Sequence, residues 1–293
     1  MASFLSSLRY LLADFIGEDD DPAPFLPEGL PDAAVAVVSD GIHRLIDYQG
    51  PGYAQLYVDR VRRFVGCAGV DESILCDIAR LMALRMSYED PIRLAQLKLA
   101  EYEAAAGDPG ALPADDIGKF RLDELIGALP AIAAEPLLDA LEWAGWTHKR
   151  IPIRFSARGR FSIRRLRIEA GLRRWRLSSV RYTRERAWVE RWLHMIGRSL
   201  IKQPQAANAI VQTATMIEGH GAVYRQGLSD WQAIIDDLVK PTFDGVLPLA
   251  DLAAAVTEAR AAVVPDPRQA ALKRTIAEIR ARALSADANA AAD

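Results

Sequence analysis

Glu89 and Asp90 are the first side chains in this sequence whose type and spacing could do chemistry. They are neighbouring carboxylates in Leu81–Lys98, LMALRMSYEDPIRLAQLK, a stretch that is apolar on both sides. Two carboxyl groups held together could divide acid and base work, one protonated and one ionised. Their position argues against that use. Adjacent residues at a helix start point in different directions, and Asp90 before Pro91 is placed to cap a helix. The better assignment is an electrostatic joint, with Tyr88, Glu89 and Asp90 meeting cations. Arg85 and Arg93 flank them, and more arginines follow some sixty residues on. At least one of the two carboxylates is therefore expected to contact an arginine of the flanking helices or of residues 149–202.

Two other constellations invite a chemical reading. Glu190, His194 and Arg198 fall at i, i+4 and i+8, on one helix face. That spacing serves acid–base work, and it equally serves a salt-linked solvated stripe. Gly219, His220 and Gly221, with Arg225 after them, could offer backbone amides and cations to an anion or a partner. The same residues also make a helix C-cap and a tight turn. The sequence has no Walker loop, no dinucleotide-binding glycine pattern, no GxSxG and no HExxH. The four histidines are dispersed, and Cys67 and Cys76 match no metal spacing, so both read as core thiols of a reducing compartment. No residue is assigned as catalytic and none as a metal ligand. An enzyme with a pocket near Tyr88, Glu89 and His220 stays as an alternative.

Charge is unevenly distributed. Residues 149–202 hold 17 Lys and Arg against three acids, a net +14, while the remainder carries 19 bases and 36 acids, a net −17. Arg173, Arg174, Arg176, Arg181 and Arg184 lie close to Trp175 and Tyr182. Arginines interleaved with aromatics suit RNA or single-stranded DNA. The whole chain is acidic, with a pI of about 5.9, which runs against nucleic acid as the partner. These five arginines are expected in internal ion pairs and on a basic surface that faces another protein.

The elements that must position these residues are mostly helices. Stripes at 3.6-residue spacing run over Val35–Ile46, Tyr53–Phe64 and Ile74–Met82, the last capped by Asp71. Pro91 opens a helix to about Tyr102, and shorter ones are expected over 122–129 and 135–144. Ile151, Ile153 and Phe155 alternate with polar residues as in a strand, so a small β element is expected near 117–121 and 150–157. A helix over 161–176 should turn Ile168, Leu172 and Trp175 inward. A stronger one over 183–199 buries Trp188, Trp192 and Ile196. Pro204 breaks the chain, and helices follow near 208–218, 229–239, 249–263 and 267–284. The fold class is a mostly α, multi-helix globular domain. Residues 1–31 read as an amphipathic helix (Leu5, Leu8, Leu12, Ile16) with an acidic, proline-rich linker, 32–284 as the helical domain and 285–293 as a disordered tail. No run of apolar residues is long enough to span a bilayer, no signal peptide is evident, and a cytoplasmic location is expected.

Four stretches resemble one known family. They are RLIDYQGPGYAQLYVDRV (Arg44–Val61), MSYEDPIRLAQLK (Met86–Lys98), LRRWRLSSVRYTRERAWVERWL (Leu172–Leu193) and MIEGHGAVYRQG (Met216–Gly227). In this order they resemble the C-terminal domain of the beta subunit of indolepyruvate ferredoxin oxidoreductases, a branch of the thiamine-diphosphate-dependent 2-oxoacid:ferredoxin oxidoreductases. His220 stands where that family is expected to have an aromatic. The resemblance implies that thiamine diphosphate and iron–sulfur clusters sit on a partner subunit and that this chain carries no cofactor; two isolated cysteines cannot hold a cluster. It also implies a domain that ordinarily follows a gamma-type domain, here expected to stand free. The resulting expectation is an accessory, architectural subunit docked to catalytic and gamma-type subunits.

Overall fold

The proline corner folds as its residues dictate. In the computed structural model, described for residues 23–105, 115–157, 160–218 and 221–290, Asp90 is extended and its Oδ1 accepts the Arg93 backbone N–H at 2.6 Å. Helix α4 (Pro91–Ala104) starts at that cap. Before it come α1 (Asp32–Tyr48), α2 (Pro51–Arg62) and α3 (Glu72–Met86), the last capped by Asp71 Oδ1 on the Ile74 N–H at 2.8 Å. Most of the chain is helical, with a single two-stranded sheet among the described residues. The expected N-terminal helix lies outside the described residues.

Contacts divide the described chain into two compact units. The first is built on Asp40–Asp59 and Met86–Ala187. It holds α4, strand β1 (Asp116–Arg121), α5 (Leu122–Gly127), α6 (Ala131–Trp143), strand β2 (Arg150–Phe155), α7 (Arg160–Gly171) and a 3-10 segment over Leu172–Ser178. The strands pair antiparallel, from Asp116 opposite Phe155 to Arg121 opposite Arg150. Side chains alternate across a strand, so Phe120, Ile151, Ile153 and Phe155 share one face. Phe120 and Phe155 meet edge to face at 6.3 Å, and with Ala95, Ala157 and Leu166 they form a small core. Gly118 lies on that face too; a Cβ there would come within 2.5 Å of the Phe120 ring.

The second unit is built on Leu26–Ser39, Arg60–Arg85 and Trp188–Asp293. Helix α8 (Val180–Lys202) supplies Trp188, Trp192 and Ile196, all buried at the predicted spacing. After Pro204 come α9 (Ala207–Val211), a 3-10 turn (Gln212–Met216), α10 (Gly221–Ile234), a π segment (Ile235–Val239), α11 (Lys240–Phe243), α12 (Leu252–Ala261) and α13 (Ala270–Ala290). Trp188 and Trp231 pack edge to face at 5.8 Å. A buried indole needs an acceptor. Trp192 donates to the Ile210 carbonyl at 3.2 Å and Trp231 to Thr213 Oγ1 at 3.0 Å.

Several expectations are corrected. Helix α13 continues to Ala290, so the tail expected from 285 is helical through most of its length. Alanine, the best helix former, dominates that stretch and outweighs its lack of apolar periodicity. Cys67 and Cys76 are half-buried, not core thiols. The helix expected over 161–176 ends at Gly171. Ile168, Leu172 and Trp175, expected inward, are exposed; Leu166 is the residue of α7 that reaches the core, and Arg176 takes the buried place next to Trp175.

Candidate functional site: a buried arginine joint

Arg176 is held in the first unit by groups from two other segments. The 3-10 segment aims it inward, α4 presents its capping residue, and the end of α1 presents backbone and side-chain oxygens. Asp90 Oδ2 accepts from Arg176 Nε at 2.7 Å and Oδ1 from Nη2 at 3.0 Å, a two-pronged ion pair. Nη1 donates to the Tyr48 carbonyl at 2.8 Å and to Gln49 Oε1 at 2.9 Å. Gln49 Nε2 in turn donates to the Arg173 carbonyl at 3.0 Å. Arg176 and Asp90 are each about 2% exposed. The guanidinium also lies over the Tyr48 ring, 3.9 Å from its centre. Asp90 thus serves as helix cap and counter-ion at once.

The surrounding aromatics set the electrostatics. Tyr88 meets Tyr48 edge to face at 5.7 Å, and Arg181, paired with Glu185 at 3.6 Å, lies 4.8 Å from the Tyr88 ring centre. Arg93 stands 5.8 Å from the centre of the Tyr48 ring. Burial pushes both the Tyr48 and Tyr88 phenols well above the ordinary tyrosine range. They are neutral at physiological pH. Burial by itself would lower the Arg176 pKa, yet the net shift is upward, and Asp90 is the carboxylate paired with the guanidinium. Three of the roughly four acceptor sites of the Asp90 carboxylate are taken, two by the guanidinium and one by the Arg93 amide. The arrangement fastens three segments together.

The residues singled out from the sequence fall in different places. Asp90, Tyr88 and Arg93 come together with Arg176 and Arg181, while Glu89 is exposed and Arg85 half-buried. The expectation that Arg176 and Arg181 face a partner is corrected: Arg176 is buried and Arg181 is turned in against Glu185 and Tyr88. Arg184 is exposed, and Arg173 is half-buried. The side chain of Arg174 lies outside the described residues. So do Gly219 and His220; Gly221 begins α10, where Arg225 is half-buried. Other arginines of 149–202 also pair inside their own unit: Arg154 with Asp115, Arg165 with Glu169, Arg191 with Asp236, and Arg198 with Asp244. Glu190 accepts Arg60 and Arg63, so the stripe with His194 and Arg198 is made of ion pairs around an exposed histidine.

A cavity of about 380 Å³ opens in the first unit between Asp115, Arg154, Ser156, Phe161, Ser162 and Arg165. None of the described residues predicted as a site lines it. Tyr88 is buried against Tyr48. Among the described residues no group of three or more His, Cys, Asp or Glu is arranged to hold a metal, and no helix is long and apolar enough to cross a membrane.

A helical protein with an ion-paired interior joint is the class these features define. Within that class the chain belongs to DUF6537, a family of unknown function whose model matches residues 34–237. That span contains Tyr48, Asp90 and Arg176. No curated protein and no solved structure matches the chain.

Proposed function

We propose that the chain is a non-catalytic, architectural subunit of a 2-oxoacid:ferredoxin oxidoreductase-like complex, of the kind acting on indolepyruvate or related aryl pyruvates. Thiamine diphosphate and iron–sulfur clusters belong to a partner subunit in this reading, and the chain docks to that subunit and to a gamma-type one. The partner's identity rests on the four stretches quoted above. Docking itself rests on one observation, the outer face of α6. Among its described side chains helix α6 buries Ala134 and Leu141, and it packs against α5. Its other stripe, Ile132, Pro136, Ala140 and Trp143, is exposed at i, i+4, i+8 and i+11. Ile132 and Trp143 are each 92% exposed. Leu137 and Trp146 are exposed as well, with Lys149 seated 3.8 Å from the Trp146 ring centre. A contiguous apolar surface rimmed by charge marks an interaction site more often than a solvated face. Trp is also a frequent anchor at interfaces.

The test is purification of the tagged chain from its native host. Recovery together with an identified thiamine-diphosphate- and cluster-bearing subunit is the expected result. Ile132→Asp with Trp143→Asp should cut that recovery by about tenfold or more, the scale of losing one or two anchors of at least 2 kcal/mol each. The thermal transition should stay in place, because neither side chain is buried. Recovery of the chain as a lone monomer would sink the reading.

A further inference from the structure

Helix α7 opens against its own dipole. The N-terminal end of a helix carries partial positive charge and favours acids. The first turn of α7 holds no acid; Arg160 begins the helix and Arg164 follows one turn later. Arg160, Arg164 and Arg167 fall at i, i+4 and i+7, where like charges repel each other. Other arginines of residues 149–202 are neutralised: Arg154, Arg165, Arg176, Arg191 and Arg198 all meet carboxylates. Arg160, Arg164 and Arg167 are exposed and, among the described residues, meet none. Three guanidinium groups are thus held together at a cost that a further anion would relieve.

Apolar side chains run beside that charge. Leu166 and Ala170 face inward, against the core around Ala95 and Phe155. Phe161 and Ile168, seven residues apart, share the opposite face, with Arg164 between them, and are 82% and 60% exposed. Leu172 and Trp175 follow on the 3-10 segment, and Trp175 is 52% exposed. An occupant of this face must supply negative charge and an apolar phase together. Single-stranded nucleic acid supplies the charge, but its bases stack on rings, and Ile168 and Leu172 offer none. An anionic bilayer supplies both. Phe, Trp and Leu at the boundary of headgroups and acyl chains, with basic side chains reaching the phosphates, is the composition of helices that lie in the membrane interface. We infer that the outer face of α7 and its 3-10 extension docks on the surface of an anionic lipid bilayer, lying on the membrane and not crossing it. Phe161, Ile168 and Trp175 enter the boundary region, and Arg160, Arg164 and Arg167 meet the headgroup phosphates. The inference rests on this face alone and does not depend on the complex proposed above.

The experiment is flotation of the full-length chain with two kinds of vesicle, phosphatidylcholine alone and phosphatidylcholine mixed with phosphatidylglycerol. The chain should float with the mixed vesicles at low salt and scarcely with the neutral ones. Raising salt to about 0.5 M shortens the screening length to roughly 4 Å and should weaken binding several-fold. Arg160→Gln with Arg164→Gln and Arg167→Gln should lower the partition coefficient by about a hundredfold, the scale of three basic side chains leaving an anionic surface. Phe161→Ser with Ile168→Ser should lower it by about tenfold or more. All five side chains are exposed, so the thermal transition should not fall in either variant. Several results would overturn the inference: no flotation with the mixed vesicles, equal flotation with both kinds, or flotation that the arginine variant leaves unchanged. So would retention on oligothymidylate without any vesicle binding, or binding that Ile132→Asp with Trp143→Asp abolishes while both α7 variants keep it.

Discussion

Arg176→Leu should destabilise the protein by about 3–5 kcal/mol, the scale seen when one member of a buried ion pair is removed. The loss of Arg176 strands several groups together. The Asp90 carboxylate, about 2% exposed, keeps its capping bond to Arg93 but loses its counter-ion. The Tyr48 carbonyl retains the Gln96 side-chain donor at 3.2 Å, and Gln49 Oε1 loses its guanidinium donor. Uncompensated charge dominates this sum, because a leucine recovers only part of the volume and none of the donors. A double-mutant cycle separates the contributions. Asn caps a helix about as well as Asp and carries no charge. Adding Asp90→Asn to Arg176→Leu should therefore restore part of the loss, whereas Asp90→Asn alone should be costly because it leaves Arg176 unpaired. Arg176→Lys should fall between wild type and Leu, since an ammonium cannot reproduce the two-pronged geometry. Urea unfolding gives the free energies. Amide exchange at Leu45–Gln49 and Ile92–Gln96 gives a local readout, which matters in a chain of two units whose unfolding need not be one transition. Unchanged exchange at both segments in Arg176→Leu would mean that the joint does not hold them.

The carboxylate half of that joint was legible in the sequence, because a capping aspartate before a proline inside an apolar stretch has few other uses. Which arginine would answer it was not. Arg173, Arg174 and Arg176 are indistinguishable by composition, and the choice depends on the 3-10 geometry after Gly171. With about 3.0 residues per turn instead of 3.6, that segment rotates the side chains after Leu172 away from their helical positions. The same change of period explains Trp175, which an α-helical reading turns inward. Helix α7 shows a second limit. With apolar residues on both sides, its period cannot tell which stripe meets the core, and Leu166 wins because Ala95 and the sheet face it. The Trp188, Trp192, Ile196 stripe has no such rival, and it is buried as predicted. The strand pair was legible for a related reason: the alternation of Ile151, Ile153 and Phe155 has a period of two, which no helix reproduces. The division into two units was not legible, because its boundaries at 39/40, 59/60 and 187/188 fall inside the helices α1, α2 and α8, whose periodicity runs on across them.

Two glycine-to-alanine substitutions in the second unit should move stability in opposite directions, although helix propensity predicts the same gain for both. Gly227 lies inside α10 and Gly197 inside α8, and alanine is favoured over glycine by about 1 kcal/mol in a helix interior. At Gly197 a Cβ would meet nothing within 4 Å. Gly197→Ala should accordingly stabilise by about 0.5–1 kcal/mol, part of it from restricting the unfolded chain. At Gly227 a Cβ would overlap the Met216 carbonyl oxygen and sit 3.1 Å from its carbonyl carbon and 3.3 Å from Ile217 Cα. These are backbone atoms at the end of the 3-10 turn, and no side-chain rotation can clear them. Either α10 or the Met216–Ile217 backbone must shift, in a place where Ile217 and Trp231 are fully buried. Overpacking of a tight core costs about 1–3 kcal/mol or more. The propensity gain is smaller, so Gly227→Ala should be net destabilising. Urea midpoints for the two variants decide the matter. A gain at both positions would show that the approach of α10 to Met216 relaxes at little cost. A loss at Gly227 alone would identify this glycine, the last residue of the stretch MIEGHGAVYRQG, as required for helix-to-backbone contact without any need of a ligand.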